Sequence, residues 1–397
     1  MLAQAVVRLA QACPICEADA WLPLPSPAVG RSMLSDGTVV EKTLEKCTCS
    51  GCGLVRHVDR PGEADIQSYF GASYGLGDGQ PNIGFEGERQ ARYADWITRA
   101  LGKFRPDSIL ELGCGNGALL KELMTKFPSA EVTGVESSDR AVSWARKSGL
   151  PVHAAYISEA TSLKGFSADL VLSVNVIEHT PCPARFLHSA TNAVRGRGLV
   201  LIVCPNGGEV NSELLIYDHL YSFCPSNLLA LANTSGLAVV GHLVSPPELP
   251  GFQMLLGTPR CAGASAERQD PTEVKCPNVF ELHGSRVSYL NKWKDFDVKL
   301  SGAIAGCRTT VMFGVGEMAQ LIRAYAPLSW DRTGAFIVDT PLTAEFFGRP
   351  VVPYSEYKPN RDDLVVLAVS SRAADTLSVR LIKDGHRVLS VNEFLAR

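Results

Sequence analysis

The chain has 397 residues, of which 46% are hydrophobic and 20% charged, with a formal net charge of −3. That length suggests two or three domains with ample core, and the near-neutral charge without a dense Lys/Arg run argues against a nucleic-acid footprint. No apolar run is long enough to span a bilayer, and Met1 to Ala12, apolar with only Arg8 charged, lacks the basic n-region and full-length h-region of a signal peptide, so a cytoplasmic location is expected.

Twelve cysteines in such a chain imply thiols or metal rather than disulfides. Cys13-Pro-Ile-Cys16 is followed by Cys47-Thr-Cys49-Ser-Gly-Cys52. Two C-x-x-C knuckles separated by a modest loop form a four-cysteine zinc signature, because each presents two thiolates to one ion. We assign Cys13, Cys16, Cys49 and Cys52 as ligands; Cys47 is a spare thiol or an alternative third ligand. Four thiolates leave no open position for water, so this zinc is expected to be structural. A redox C-x-x-C is the competing reading, but that motif normally comes singly in a thioredoxin-like context.

Ser108-Ile-Leu-Glu-Leu112 reads as a buried strand that breaks into Gly113-Cys-Gly-Asn-Gly117, with helical spacing from Leu119 to Phe127. Glycine suits a tight turn where a ligand lies against bare backbone. A loop built only for pyrophosphate relies on backbone N–H groups and a helix N-terminus. Glu111 beside the glycines instead suits a ligand carrying a cation or hydroxyl and amino donors. Val132 to Val135 is the second strand, ending at Glu136, where a carboxylate can accept both ribose hydroxyls. Val152 to Ile157 holds the third strand and places Tyr156 where an adenine would lie. Ala168 to Val174 closes on Asn175 and Glu178-His179, and Leu199 to Val203 ends at Pro205-Asn206. Ligands in open parallel sheets bind beyond the carboxyl ends of the strands, where Glu111, Glu136 and Asn175 fall.

The glycines with Glu111, Glu136 and the segment from Asp169 to His179 resemble a class I S-adenosylmethionine-dependent methyltransferase. That cofactor carries a sulfonium, an α-ammonium and a ribose. The cofactor-binding set is then Glu111, Gly113, Gly115, Gly117, Glu136 and Asn175. A Rossmann dehydrogenase that has lost its usual pattern is the alternative.

Leu237 to Val240 and Phe252 to Leu256 read as the last two strands of this core, and Thr258 to Lys275 as a linker. Apolar residues between Glu281 and Ile304 indicate one or two bridging helices. Thr309 to Phe313 then enters Gly314-Val-Gly316-Glu-Met-Ala319, and Ala335 to Val338 ends at Asp339. Alone this is a dinucleotide fingerprint. Methyl transfer needs no hydride carrier, so a degenerate or substrate-binding Rossmann-like domain is favoured over an NAD site. Later strands are expected at Asp363 to Val369 and His386 to Ser390.

The domain order resembles the zinc-module-containing sugar C-methyltransferases, which act on nucleotide-linked ketodeoxysugars. Cys49-Ser-Gly-Cys-Gly-Leu-Val55 matches their second knuckle, and Tyr69-Phe-Gly-Ala-Ser-Tyr74 the stretch leading toward the active site. In that family a C-terminal Rossmann-like domain binds no dinucleotide and helps hold the nucleotide end of the substrate. Family members carry Tyr-His-Glu-His where this chain has Ile216-Tyr-Asp-His219. The resemblance makes His219 the general base and Asp218 its acidic neighbour, with Tyr217 in place of the first His. An imidazole near its ordinary pKa can take a proton from a hydroxyl or a carbon beside a carbonyl at neutral pH. The competing reading is a helix-start segment, with Asp218 and Ser222 as caps before Pro225. Tyr74, Tyr217 and His179 are the candidate substrate contacts, although His179 also suits a pocket-shaping or capping role.

The expected organisation is an α/β protein. It has a zinc-binding module over 1–75, an S-adenosylmethionine-binding core over 76–258, a linker with bridging helices over 259–300, and a C-terminal Rossmann-like domain over 301–397. The expected reaction is methylation of a carbon or oxygen on a small molecule, foremost a nucleotide-linked sugar. A non-sugar metabolite is the alternative acceptor, and a non-catalytic nucleotide-binding protein the alternative class.

Overall fold

A computed structural model describes residues 6–59, 62–73, 83–157, 163–260, 277–358 and 363–395. Its central sheet has seven strands: β1 (Ser108–Leu112), β2 (Glu131–Glu136), β3 (Val152–Ala154), β4 (Ala168–Val174), β5 (Val194–Pro205), β6 (Leu237–Val244) and β7 (Phe252–Pro259). Across the sheet the order is β6-β7-β5-β4-β1-β2-β3. The first five strands pair in parallel, while β7 runs antiparallel to both β5 and β6. β1 and β4 are neighbours although their connections leave in opposite directions, so the crevice beyond their carboxyl ends is the topological switch point. The inner strands are apolar on both faces because helices cover both: Leu110, Leu112 and Val171 belong to one buried cluster, and Ile109, Leu170 and Leu172 to another.

The N-terminal sheet pairs Val7–Arg8, Ala20–Pro23, Lys46–Cys49, Val55–His57 and Tyr221–Ser222 in that order. Its fifth strand therefore comes from the chain that follows β5. Tyr221 and Ser222 lie antiparallel to Arg56 and Val55. The sheet is not built from residues 1–75 alone.

Residues 261–276, in the expected linker, lie outside the described residues. Beyond them a single helix runs from Val279 to Ile304, not two, capped by the Asn278 side chain. Its Arg286 is 1% exposed and donates to the carbonyls of Gly53 at 2.7 Å and Gly207 at 2.6 Å. One guanidinium thus joins this helix to the N-terminal module and to the core.

The third sheet has six strands, with Thr309–Phe313 between Thr333–Val338 and Asp363–Leu367, all three parallel. Leu24, Met33 and Val55 pack in one apolar cluster with Leu214 to Ile216, Trp293, Phe296 and Tyr325. That cluster draws on all three sheet regions.

Candidate functional site

A cavity of about 710 Å³ opens at the β1–β4 crevice. Glu111, Gly113, Gly115, Gly117, Glu136 and Asn175 all line it, so the six residues expected to bind the cofactor do come together. Gly113 and Gly117 sit at φ +73° and +81°. A Cβ at Gly113 would meet Val176 at 2.4 Å, and one at Gly117 would meet Leu150 at 2.4 Å. Backbone conformation therefore favours glycine at both positions, and at Gly113 the close packing of the short Val176 side chain adds to it. Asn175 also has positive φ, at +55°, a conformation asparagine tolerates better than most residues.

The two carboxylates do different work. Glu136 accepts from the backbone N–H of Gly115, Ser137 and Ser138, each at 2.8 Å, and so ties the glycine turn to the end of β2. Glu111 is 3% exposed, and its Oε2 meets no hydrogen-bond donor among the described residues. Burial, helped by the neighbouring Glu136 charge, pushes its carboxyl up to about 8. Tyr156 also lines the cavity, beyond the end of β3.

The same cavity also holds a polar cluster that sequence spacing did not reveal as a unit. Glu178, His179, Glu213 and His219 line the same cavity. The His179 and His219 rings meet edge to face at 4.8 Å, and Phe70 packs on His179 at 5.2 Å. Burial, with His179 nearby, holds the His219 imidazole well below its ordinary range. Burial likewise pushes Glu178 well above the carboxylate range. Lys46 is buried close by, its ammonium donating to the Ile216 carbonyl at 2.7 Å, and burial lowers it to about 8.

Asp218 is not the carboxylate beside His219. Its Oδ1 accepts from the Ser35 N–H at 2.7 Å and its Oδ2 from the Ser35 hydroxyl at 2.6 Å. Its backbone carbonyl accepts from His179 Nδ1 at 2.8 Å. The carboxylate facing His219 is that of Glu213, at 3.9 Å from Nδ1. Successive residues of an irregular segment point apart, which is why adjacency in sequence misled here.

Tyr217 also departs from expectation. Its carbonyl accepts from His57 Nε2 at 2.6 Å, and its ring meets the His57 ring at 4.9 Å, so it packs on the N-terminal module. Ile216 lines the cavity instead. Tyr74 lies outside the described residues.

The cavity is walled by more than the central sheet. Met33 and Ser35 enter from the N-terminal module, and Glu317 and Gln320 from the helix after the second glycine turn. In that last region the Asp339 carboxylate is paired with Arg380 at 2.8 Å.

In the N-terminal module, Cys13, Cys16, Cys49 and Cys52 bring their sulfurs within 4.8 Å of one another. The Cys13–Cys52 and Cys16–Cys49 sulfurs are 3.6 and 3.5 Å apart. A tetrahedral site with Zn–S bonds of ~2.3 Å has sulfur–sulfur edges of ~3.8 Å, so the four thiols fit such an ion. Cys47 lies outside this group, with its thiol against the Arg56 carbonyl at 3.6 Å.

Residues 85–242 match the family described as a methyltransferase domain. This segment is therefore a methyltransferase domain of the S-adenosylmethionine-dependent kind. The ubiquinone biosynthesis O-methyltransferase of Aeromonas salmonicida (strain A449) is 28% identical over 165 residues, spanning 36% of this chain and 68% of that protein. The enzyme of the same name from Sinorhizobium fredii (strain NBRC 101917 / NGR234) is 34% identical over 114 residues, spanning 28% and 45%. Among solved structures, magnesium protoporphyrin IX methyltransferase from Synechocystis PCC 6803 with bound SAH has a TM-score of 0.40 and 15% identity, over 50% of this chain and 100% of that one. No described helix is long and apolar enough to cross a membrane.

Proposed function

We propose that the protein transfers the methyl group of S-adenosylmethionine to an oxygen or carbon of a small polar acceptor, with a nucleotide-linked sugar as the leading candidate. The carrying observation is that one cavity is lined both by Glu111 and Glu136 and by His179 and His219. Glu111 faces the cationic part of the cofactor, and Glu136 keeps lone pairs for the ribose while organising the turn. The cofactor arrives activated, so the protein chiefly orients two reactants for an in-line displacement. His219 takes the acceptor proton, and Glu213 stabilises the resulting imidazolium. Asp218 acts at one remove, holding Ser35 and His179. The four clustered cysteines hold a structural zinc that stiffens the module carrying Ser35.

The sugar reading draws on the three-unit build of the cavity. Glu317 and Gln320 reach it from the C-terminal sheet region, where the nucleotide end of a long acceptor would be held. The Asp339–Arg380 pair occupies the acid that an NAD ribose would need, which favours a substrate-binding role over a dinucleotide site. The second reading is O-methylation of a non-sugar acceptor, favoured by the similarity to the ubiquinone biosynthesis enzymes. Incubating the full chain with methyl-labelled S-adenosylmethionine and parallel panels of nucleotide-linked ketosugars and catechols tests both. Label in the sugar panel supports the first reading, and label confined to the catechols replaces it with the second. His219→Asn is expected to abolish transfer and spare cofactor binding; retained turnover would remove His219 as the base.

A further inference from the structure

The cavity carries more ligand-forming groups beside His219 than one base requires. Glu178, His179 and His219 each offer one donor atom, and those atoms lie within 4.8 Å of one another. Glu178 is 1% exposed, and neither of its carboxylate oxygens meets a hydrogen-bond donor among the described residues. Glu213 Oε2 and His219 Nδ1 are buried in the same condition. A buried carboxyl without donors carries a desolvation penalty that protonation relieves; the Arg89 charge nearby offsets part of the cost of ionising it, and a bound cation would offset more.

The cluster is also oriented for a ligand. His179 donates through Nδ1 to the Asp218 carbonyl at 2.8 Å. That bond fixes the tautomer and leaves the Nε2 lone pair free, which is how protein surroundings prepare an imidazole for a metal. Asp218 is held in turn by Ser35, so the support reaches the N-terminal module.

We propose that Glu178, His179 and His219 bind one divalent first-row transition cation at the acceptor end of the cavity. Two imidazoles and a carboxylate suit such ions and leave coordination positions open for an acceptor oxygen. The assignment rests on reading this cavity as the acceptor pocket. With the ion in place, His219 is a ligand and no longer the base. An acceptor hydroxyl on the ion gives its proton to the Glu213 carboxylate. Its oxygen bonds to the methyl carbon as the carbon–sulfur bond breaks, with the electron pair passing to sulfur, so the products are the methyl ether and S-adenosylhomocysteine.

The test needs no acceptor. The full chain, with its thiolate site loaded with zinc, is titrated with Mn²⁺ and followed by the loss of the free-ion electron paramagnetic resonance signal. Mn²⁺ favours oxygen and nitrogen ligands and displaces zinc from thiolates poorly. The expected result is one Mn²⁺ bound per chain, with affinity reduced at least tenfold in Glu178→Gln and in His179→Ala. Circular dichroism and calorimetric binding of S-adenosylmethionine check that each variant is folded. Cofactor binding without Mn²⁺ binding, or Mn²⁺ binding untouched by either substitution, overturns the metal site and leaves His219 as the base. Failure of S-adenosylmethionine to bind the unaltered chain would instead overturn the reading of the cavity.

Discussion

His219 faces Glu213 and not Asp218, its neighbour in sequence: His219 Nδ1 and Glu213 Oε2 are 3.9 Å apart in the buried wall of the cavity. Glu213 accepts from the Ser222 hydroxyl through its other oxygen at 2.5 Å, which fixes the carboxylate. Replacing Glu213 with Gln keeps the shape and removes the charge. Methyl transfer is expected to fall about 10²-fold, in the range typical for losing part of an acid–base pair. Asp218→Asn is expected to act differently, by loosening Ser35, from whose N–H and hydroxyl the Asp218 carboxylate accepts, while the backbone bond to His179 remains. Steady-state kinetics on both variants separates them; equal losses in kcat alone would argue against a direct role for Glu213.

Glu136 binds three backbone N–H groups of the turn, so its removal acts on the loop as well as on any ribose contact. Hydrogen bonds to charged groups contribute about 1.5–3 kcal/mol each. Glu136→Ala is expected to weaken S-adenosylmethionine binding by at least ~10-fold on that basis, measured by calorimetry. Unchanged affinity would remove Glu136 from the cofactor site.

Glu111 makes cofactor binding sensitive to pH. Its free carboxyl, raised to about 8, is largely protonated at neutral pH. A cationic ligand favours the carboxylate, so binding draws the pKa down and releases a proton. Affinity should therefore rise with pH across the neutral range and level off above about 8. Calorimetry in buffers of different ionisation enthalpy reads the proton directly. Glu111→Gln is expected to flatten the dependence, and a profile unchanged by that substitution would assign the titration elsewhere.

The cluster of Cys13, Cys16, Cys49 and Cys52 predicts a zinc content insensitive to changes at the cavity. Cys49→Ser should lose the ion and lower the melting temperature, since the small N-terminal sheet has little core of its own. Glu178→Gln should retain the thiolate zinc. Elemental analysis of the two variants distinguishes the sites, and a protein that keeps its full zinc without Cys49 would reopen the redox reading.

Arg286 is the buried tie between the long helix, the N-terminal module and the core. Arg286→Ala leaves two buried carbonyls with only the single weak thiol donor of Cys224 between them and is expected to cost about 3 kcal/mol. Chemical denaturation checks it; a change below about 0.5 kcal/mol, the range of ordinary surface substitutions, would show that the tie is replaceable.

Local physics made the glycine-turn part of the cavity readable. A glycine turn needs positive φ and bare backbone, and carboxylates at strand ends follow from the period of the strands, so Glu111, Gly113, Gly117 and Glu136 announced themselves in one short stretch of chain. The paired C-x-x-C knuckles did the same for the thiolate group, because both halves of each pair are local. Distant convergence determined the acceptor wall. Tyr221–Ser222 joins the N-terminal sheet, Asp218 bonds to Ser35, and Lys46 to the Ile216 carbonyl. These contacts turn Tyr217 toward His57 and bring His219 to Glu178, His179 and Glu213. Those partners come from separate segments with no common spacing, so no periodicity connects them. Sequence by itself determined a methyltransferase-like sheet with a cysteine cluster and a second glycine turn. Only tertiary packing decided which buried carboxylates and imidazoles line the cavity, because that choice depends on contacts between chain segments that secondary-structure patterns do not encode.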